Sequence, residues 1–153
     1  MSCADKAENL FRGGLNCAQA VSGAFCEFYN GTSEEHILDL ASPFGGGFAR
    51  KRELCGAVSG MGIAFGILFG THTADEKMKT YENAAELTDR FISRYESIIC
   101  SELLEKTPDA SITPRNKPIS EFEKKEYHWP CIDYVRGAAQ LLEQYLSERL
   151  PAE

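Results

Sequence analysis

The chain has 153 residues, 43% of them hydrophobic and 25% charged, which suits one domain with a substantial core and leaves little room for two. Its 16 Lys and Arg against 23 Asp and Glu give a formal charge of -7, which argues against tight binding to a nucleic-acid backbone or an anionic membrane. Met1-Ser2-Cys3-Ala4-Asp5-Lys6 lacks the basic flank and apolar core of a secretion signal, so the expectation is a cytoplasmic protein. There, six cysteines serve as free thiols, metal ligands or catalytic dithiols rather than as a disulfide scaffold.

In chain order, Cys3 to Arg12 carries Ala7, Leu10 and Phe11 at helical spacing and ends at Gly13-Gly14. Asn16, with Gln19 three positions on, is a capping pair for a second helix. Its apolar residues Ala20, Val21, Ala24, Phe25 and Phe28 run to about Tyr29, before Asn30-Gly31. Thr32 with Glu35 opens a short helix that turns Ile37, Leu38 and Leu40 inward, closed by Ser42-Pro43. Phe44-Gly45-Gly46-Gly47-Phe48 reads as a tight loop or a close approach to a ligand. It is no dinucleotide fingerprint, since no strand precedes it. Ala49-Arg50-Lys51-Arg52-Glu53 reads as a solvated loop before a helix, with a small-anion site as the alternative.

Leu54 to Thr71 carries no charge and contains five glycines. As a helix it rises only about 27 Å, near the lower limit for a bilayer span, and neither flank has strong interfacial anchors. It therefore reads as a buried central helix whose small residues let another backbone come close. Thr73 with Glu76 starts a long helix from about Ala74 to Leu104, with an apolar stripe of Met78, Tyr81, Ala85, Thr88, Ile92, Tyr95 and Ile99, widened by Leu87, Phe91 and Ile98. Thr107-Pro108 stops it, and 109–126 reads as a polar surface loop. Trp129-Pro130 opens the last helix, with Val135, Ala138, Leu141, Leu142 and Leu146 facing inward. The expected fold is all-α: one compact domain over residues 1–153, a bundle of about five helices around the glycine-rich one.

The cysteines are the distinctive chemistry. Cys17 follows the cap Asn16, Cys55 begins the glycine-rich helix, and Cys131 sits in the first turn of the last one. Helix starts stabilise negative charge, so these three thiols are expected to ionise below the reference of about 8.5. Cys100 falls late in the predicted long helix, facing either the core or the other thiols. Each of the four lies more than thirty residues from the next, which rules out a C-x-x-C motif and leaves open a four-thiolate site assembled by folding. Such a site suits an iron–sulfur cluster or tetrahedral zinc. Cys26, on an apolar helix, reads as structural, and Cys3 as peripheral. His36, His72 and His128 are isolated and suit surface or capping roles, with His128 the nearest in sequence to a candidate site residue.

Asn16-Cys17-Ala18-Gln19-Ala20-Val21, Phe44-Gly45-Gly46-Gly47 and Cys55-Gly56-Ala57-Val58-Ser59-Gly60, followed by Cys100 and Cys131, resemble the C-GCAxxG-C-C family of proteins described as redox-active. The resemblance covers nearly the whole chain and implies that Cys17, Cys55, Cys100 and Cys131 are the characteristic cysteines. A distant similarity of that family to the non-haem part of split-Soret cytochromes makes an iron–sulfur cluster the expected cofactor. Covalent haem is not expected, because C-x-x-C-H is missing. In that reading Gly56 and Ala57 let the helix start approach the Cys55 sulfur or an inorganic sulfide, and Gly45, Gly46 and Gly47 offer backbone N–H groups to the same anionic centre.

The leading expectation is an electron-transfer protein with a four-cysteine metal or iron–sulfur site, exchanging electrons with a redox protein or small-molecule carrier. The alternatives are a thiol–disulfide oxidoreductase attacking through Cys17 or Cys55, and a structural zinc or interaction module. The glycine-rich face and long helix also suggest a homodimer, although no residue pattern marks its interface.

Overall fold

The computed structural model describes residues 1–106 and 129–150 and is all-α, with seven α-helices among the described residues rather than about five. These are α1 (Cys3–Arg12), α2 (Cys17–Gly23), α3 (Glu34–Ala41), α4 (Gly56–Phe69), α5 (Lys77–Tyr95), α6 (Cys100–Glu105) and α7 (Trp129–Arg149). The predicted stop at Thr107-Pro108, the 109–126 loop and His128 lie outside the described residues.

The first helices start where their side chains satisfy orphan N–H groups. Ser2 caps α1 reciprocally with Asp5, at 3.1 and 3.2 Å. Asn16 caps α2: the Gln19 N–H donates to Asn16 Oδ1 at 2.9 Å, and the Asn16 N–H donates to Gln19 Oε1 at 3.1 Å. The same two amides reach outward, Asn16 Nδ2 to the Ser42 carbonyl at 2.9 Å and Gln19 Nε2 to the Leu38 carbonyl at 3.0 Å. One cap thus starts α2 and fastens it to the end of α3. Asn16→Ala should cost about 1–2 kcal/mol, read as a lower urea midpoint at unchanged slope.

α2 ends at Gly23, and a 3₁₀ turn, Cys26–Phe28, replaces its predicted last turns. The cap of α3 is Ser33 rather than Thr32: the His36 N–H donates to Ser33 Oγ at 3.2 Å. Of the three residues expected to face inward there, Ile37 is buried, Leu38 is half-buried and Leu40 is exposed.

α4 packs on α2, α7 and α5, and its contact with α2 is the most extensive in the fold. The reason is Gly60, where a Cβ would sit 2.5 Å from the Ala18 carbonyl oxygen and 3.0 Å from the Val21 Cβ. The helix is not surrounded on all sides, however. Gly62 and Gly66 are exposed with open space over them, so the glycine-rich segment is one-faced rather than enclosed. No described helix is long and apolar enough to cross a membrane.

The predicted long helix is two helices. α5 stops at Tyr95 because Glu96 turns left-handed, with φ of 69°. Lys106 then caps that end through the Tyr95 carbonyl and the Glu96 carboxylate. Residues 97–99 run extended alongside 53–55, where the Cys55 N–H donates to the Ile98 carbonyl at 2.8 Å and the Cys100 N–H to the Glu53 carbonyl at 2.6 Å. α6 begins at Cys100 itself. The face of α5 also differs from the reading. Leu87 and Phe91 enter the core, while Met78 and Tyr81 remain 60% and 57% exposed.

α7 carries its predicted inner face into the core, where Val135, Ala138, Leu141, Leu142 and Leu146 are buried. It lies along α1, to which Arg136 is tied through Asp5 and Glu8 at 3.1 and 2.6 Å. Tyr134, near its start, donates to the Leu103 carbonyl of α6 at 2.8 Å. Cys3, expected at the periphery, is in this core at 2% exposure, because α1 packs against α7 from its first turn. Cys26 is half-buried against the same core.

Candidate redox site

The helix starts converge. Cys17 is the first residue of α2, Cys55 the N-cap of α4, Cys100 the first residue of α6 and Cys131 the third residue of α7. All four line one cavity of about 840 Å³, together with Gly45, Gly46, Gly47 and Gly56. The break after Tyr95 is what brings Cys100 there as a helix start, in place of the late mid-helix position expected. His36 and His72 are exposed and do not line this cavity.

Cys17 and Cys131 are hydrogen-bonded, with the Cys17 thiol donating to Cys131 sulfur. That bond, with burial and the nearby Cys55 and Cys100, holds the Cys17 proton on and raises its pKa well above the ordinary thiol value. The same bond lowers the pKa of Cys131, and the Arg52 guanidinium assists against the cost of burial. Cys55 is pushed up to about 12 by burial, opposed by the backbone N–H groups of Val58 and Ala57 at the start of α4. Cys100 is raised by burial, opposed by the charge and hydrogen bond of Arg52. Low thiol pKa values were expected at Cys17, Cys55 and Cys131, and only Cys131 has one. At Cys17 the interaction with Cys131 and burial, and at Cys55 burial, outweigh what a helix start contributes.

The glycine loop forms one wall by an unusual backbone. Gly46, Gly47, Phe48, Ala49, Arg50 and Arg52 all have positive φ, between 48° and 70°. For the four non-glycine residues this conformation costs roughly 1–2 kcal/mol each. The bonds that hold it run from the N–H groups of Ala49, Arg50, Arg52 and Glu53 to the carbonyls of Pro43, Gly45, Gly46 and Gly47, at 2.8, 3.3, 3.1 and 3.0 Å. The N–H groups of Gly46 and Gly47 donate to none of the described residues. At Gly47 a Cβ would lie 2.6 Å from the Cys100 Cβ, so the loop rests directly on that cysteine.

Gly56 brings the start of α4 close to Cys17, whose Cβ would be 3.0 Å from an added Cβ. Ala57 is the second residue of α4 and is buried beside that start.

Arg52 is the site residue that sequence reasoning missed. It was read within a solvated loop, yet it is 4% exposed and lies against Cys100. The only available signal was its position between the glycine run and Cys55. Among the described residues, no group of three or more His, Cys, Asp or Glu is placed to hold a metal ion.

No curated protein and no solved structure matches the chain. The family model described as "Putative redox-active protein (C_GCAxxG_C_C)" matches residues 15–145, a span that takes in all four cavity cysteines and leaves out Cys3. The chain belongs to this C_GCAxxG_C_C family of redox-associated, cysteine-containing proteins.

Proposed function

We propose that the chain is an electron-transfer protein in which Cys17, Cys55, Cys100 and Cys131 hold an iron–sulfur cluster. One observation carries the reading: four cysteines distant in sequence line a single cavity, each at the start of a different α-helix. Four thiols are the soft donor set that such clusters take. A single tetrahedral zinc, with Zn–S bonds of about 2.3 Å, needs sulfurs roughly 3.8 Å apart. The cavity has room for a multi-atom centre, which favours the cluster over a single zinc ion.

When bound, a cluster supplies a one-electron carrier. The chain's own part is to compensate charge and exclude water. Arg52 and the N–H groups of Ala57 and Val58 offset negative charge on the sulfurs. Gly46 and Gly47 offer two further N–H donors at the wall, and Leu103 and Leu104 close the cavity with apolar surface. Electrons would pass to a redox protein or small-molecule carrier.

Anaerobic purification followed by optical spectra and iron, sulfide and zinc analysis tests this. Iron and sulfide should copurify with the protein and be lost in Ser variants of Cys17, Cys55, Cys100 or Cys131, while Cys26→Ser retains them. Stoichiometric zinc without iron or sulfide would defeat the proposal.

A second reading, thiol–disulfide exchange, is favoured by the Cys17–Cys131 hydrogen bond. Here Cys131, the thiol with the lowered pKa, is the attacking sulfur, in place of the Cys17 or Cys55 expected from sequence. It would attack one sulfur of a substrate disulfide and expel the other as thiolate. Cys17 would then displace the second substrate thiol and close a Cys17–Cys131 disulfide, leaving the substrate as two thiols. Thiol counting before and after mild oxidation, with mass mapping, should find that pair reversible. Failure to find it excludes exchange.

A further inference from the structure

One apolar stripe of α5 is not used by the fold. Met78, Tyr81, Ala85, Thr88, Ile92 and Tyr95 follow one another at intervals of three and four residues, the spacing of a seam between two helices. The chain's own core takes a neighbouring side instead, through Leu87 and Phe91. A further side meets α7, where Glu86 pairs with Arg149 at 3.2 Å and Arg90 with Glu148 at 2.8 Å. Thr88 and Tyr95, at the edge of the core, are half-buried, and Tyr95 packs edge-on against Tyr134. Met78, Tyr81, Ala85 and Ile92 are exposed, Met78 and Tyr81 by more than half. Single apolar side chains at a surface are ordinary, whereas four along one seam-spaced line of a 19-residue helix form a face that is open to a partner.

The charges beside the stripe say what fits it. Glu82 and Asp89 run along one edge and Lys77 stands on the other, and all three are exposed and pair with no described residue. Two such stripes laid antiparallel would set their acidic edges against each other. Laid parallel, Lys77 of each copy meets Glu82 of the other, the pairing that residues five apart on opposite edges make across a parallel seam. We infer that the chain forms a parallel homodimer through α5, with Met78, Tyr81, Ala85 and Ile92 of the two copies packed about a two-fold axis that runs along the helices. A seam of one helix is small beside the roughly 1,200 Å² of a standard interface, so the dimer is reversible and forms with rising concentration. The inference does not rest on the redox reading above.

Sedimentation equilibrium of the whole chain at low ionic strength tests this, with reductant present so that no intermolecular disulfide contributes. Between about 1 and 500 µM the measured mass should rise from one chain toward two. Met78→Glu with Tyr81→Glu should hold the protein at one chain throughout. Leu40→Glu places the same charge at an exposed apolar position on α3 and should leave dimerisation unchanged. Lys77→Glu should weaken association about tenfold, and Lys77→Glu with Glu82→Lys should restore it. These substitutions are at exposed positions, and far-ultraviolet circular dichroism should find helicity unchanged. If one of them loses helicity, the wild-type series and the charge exchange still decide the matter. A wild-type chain that stays single at the highest concentration overturns the inference and leaves the stripe to a different protein. A dimer that survives Met78→Glu with Tyr81→Glu, or that Lys77→Glu does not weaken, overturns it as well.

Discussion

Gly60→Ala should destabilise the protein by about 3 kcal/mol, whereas Gly62→Ala, two residues along the same helix, should stabilise it by about 0.5–1 kcal/mol. At Gly60 the new methyl group would lie 2.5 Å from the Ala18 carbonyl oxygen and 3.0 Å from the Ala18 Cα. These are backbone atoms of α2, and they can retreat only if the helix moves as a body. That helix carries Cys17 at its start and is fastened to Ser42 and Leu38 through its cap, so the strain has no local outlet. At Gly62 nothing lies within 4 Å of the added carbon, and the exchange only removes conformational freedom from the unfolded chain. Urea unfolding of both variants checks the pair. Effects of the same sign would contradict this packing.

Gly47→Ala should cost at least 2–3 kcal/mol (about 1–2 from forcing φ of 70° on a side-chain-bearing residue, the rest from overpacking) and should abolish iron and sulfide retention. Its Cβ would meet the Cys100 Cβ at 2.6 Å, the Glu53 N at 2.7 Å and the Arg52 Cα at 2.8 Å. Glu53 and Arg52 also hold the loop closed and receive the N–H groups of Cys100 and Ser101. Gly31→Ala is the control, having φ of 76° and open space around it. It should show the conformational penalty alone and leave the site intact. If Gly47→Ala behaves like Gly31→Ala in both unfolding and metal analysis, the loop does not rest on Cys100 as described.

How much of this was legible in the sequence follows from where the determinants lie. α1, the start of α2 and the last helix were readable because their signals are local: Asn16 with Gln19, Trp129 with Pro130, and apolar residues at regular spacing. The break between α5 and α6 was not, because Glu96-Ser97 contains neither glycine nor proline. Its causes, a left-handed Glu96, the Lys106 contacts and the pairing of 97–99 with 53–55, are tertiary. On α5 only the edge of the expected stripe, Leu87 and Phe91, enters the core, for a related reason. Its sequence carries apolar residues on two neighbouring sides, and packing on α4 and α7 selected the side of Leu87 and Phe91. The four cysteines were identifiable from the motif they share with a family. Their ionisation was misjudged, because helix position can be read from sequence and depth of burial cannot.

The two backbone hydrogen bonds that join 53–55 to 98–100 have a mechanical consequence. They hold the residue that opens α4 and the residue that opens α6 by main-chain atoms on either side of one bridge, Leu54 to Ile99. The separation of Cys55 and Cys100 is therefore gauged by peptide geometry rather than by the fit of neighbouring side chains. Substitutions that loosen the interior can tilt the helices bearing Cys17 and Cys131 while this half of the quartet keeps its span, like the fixed jaw of a vice.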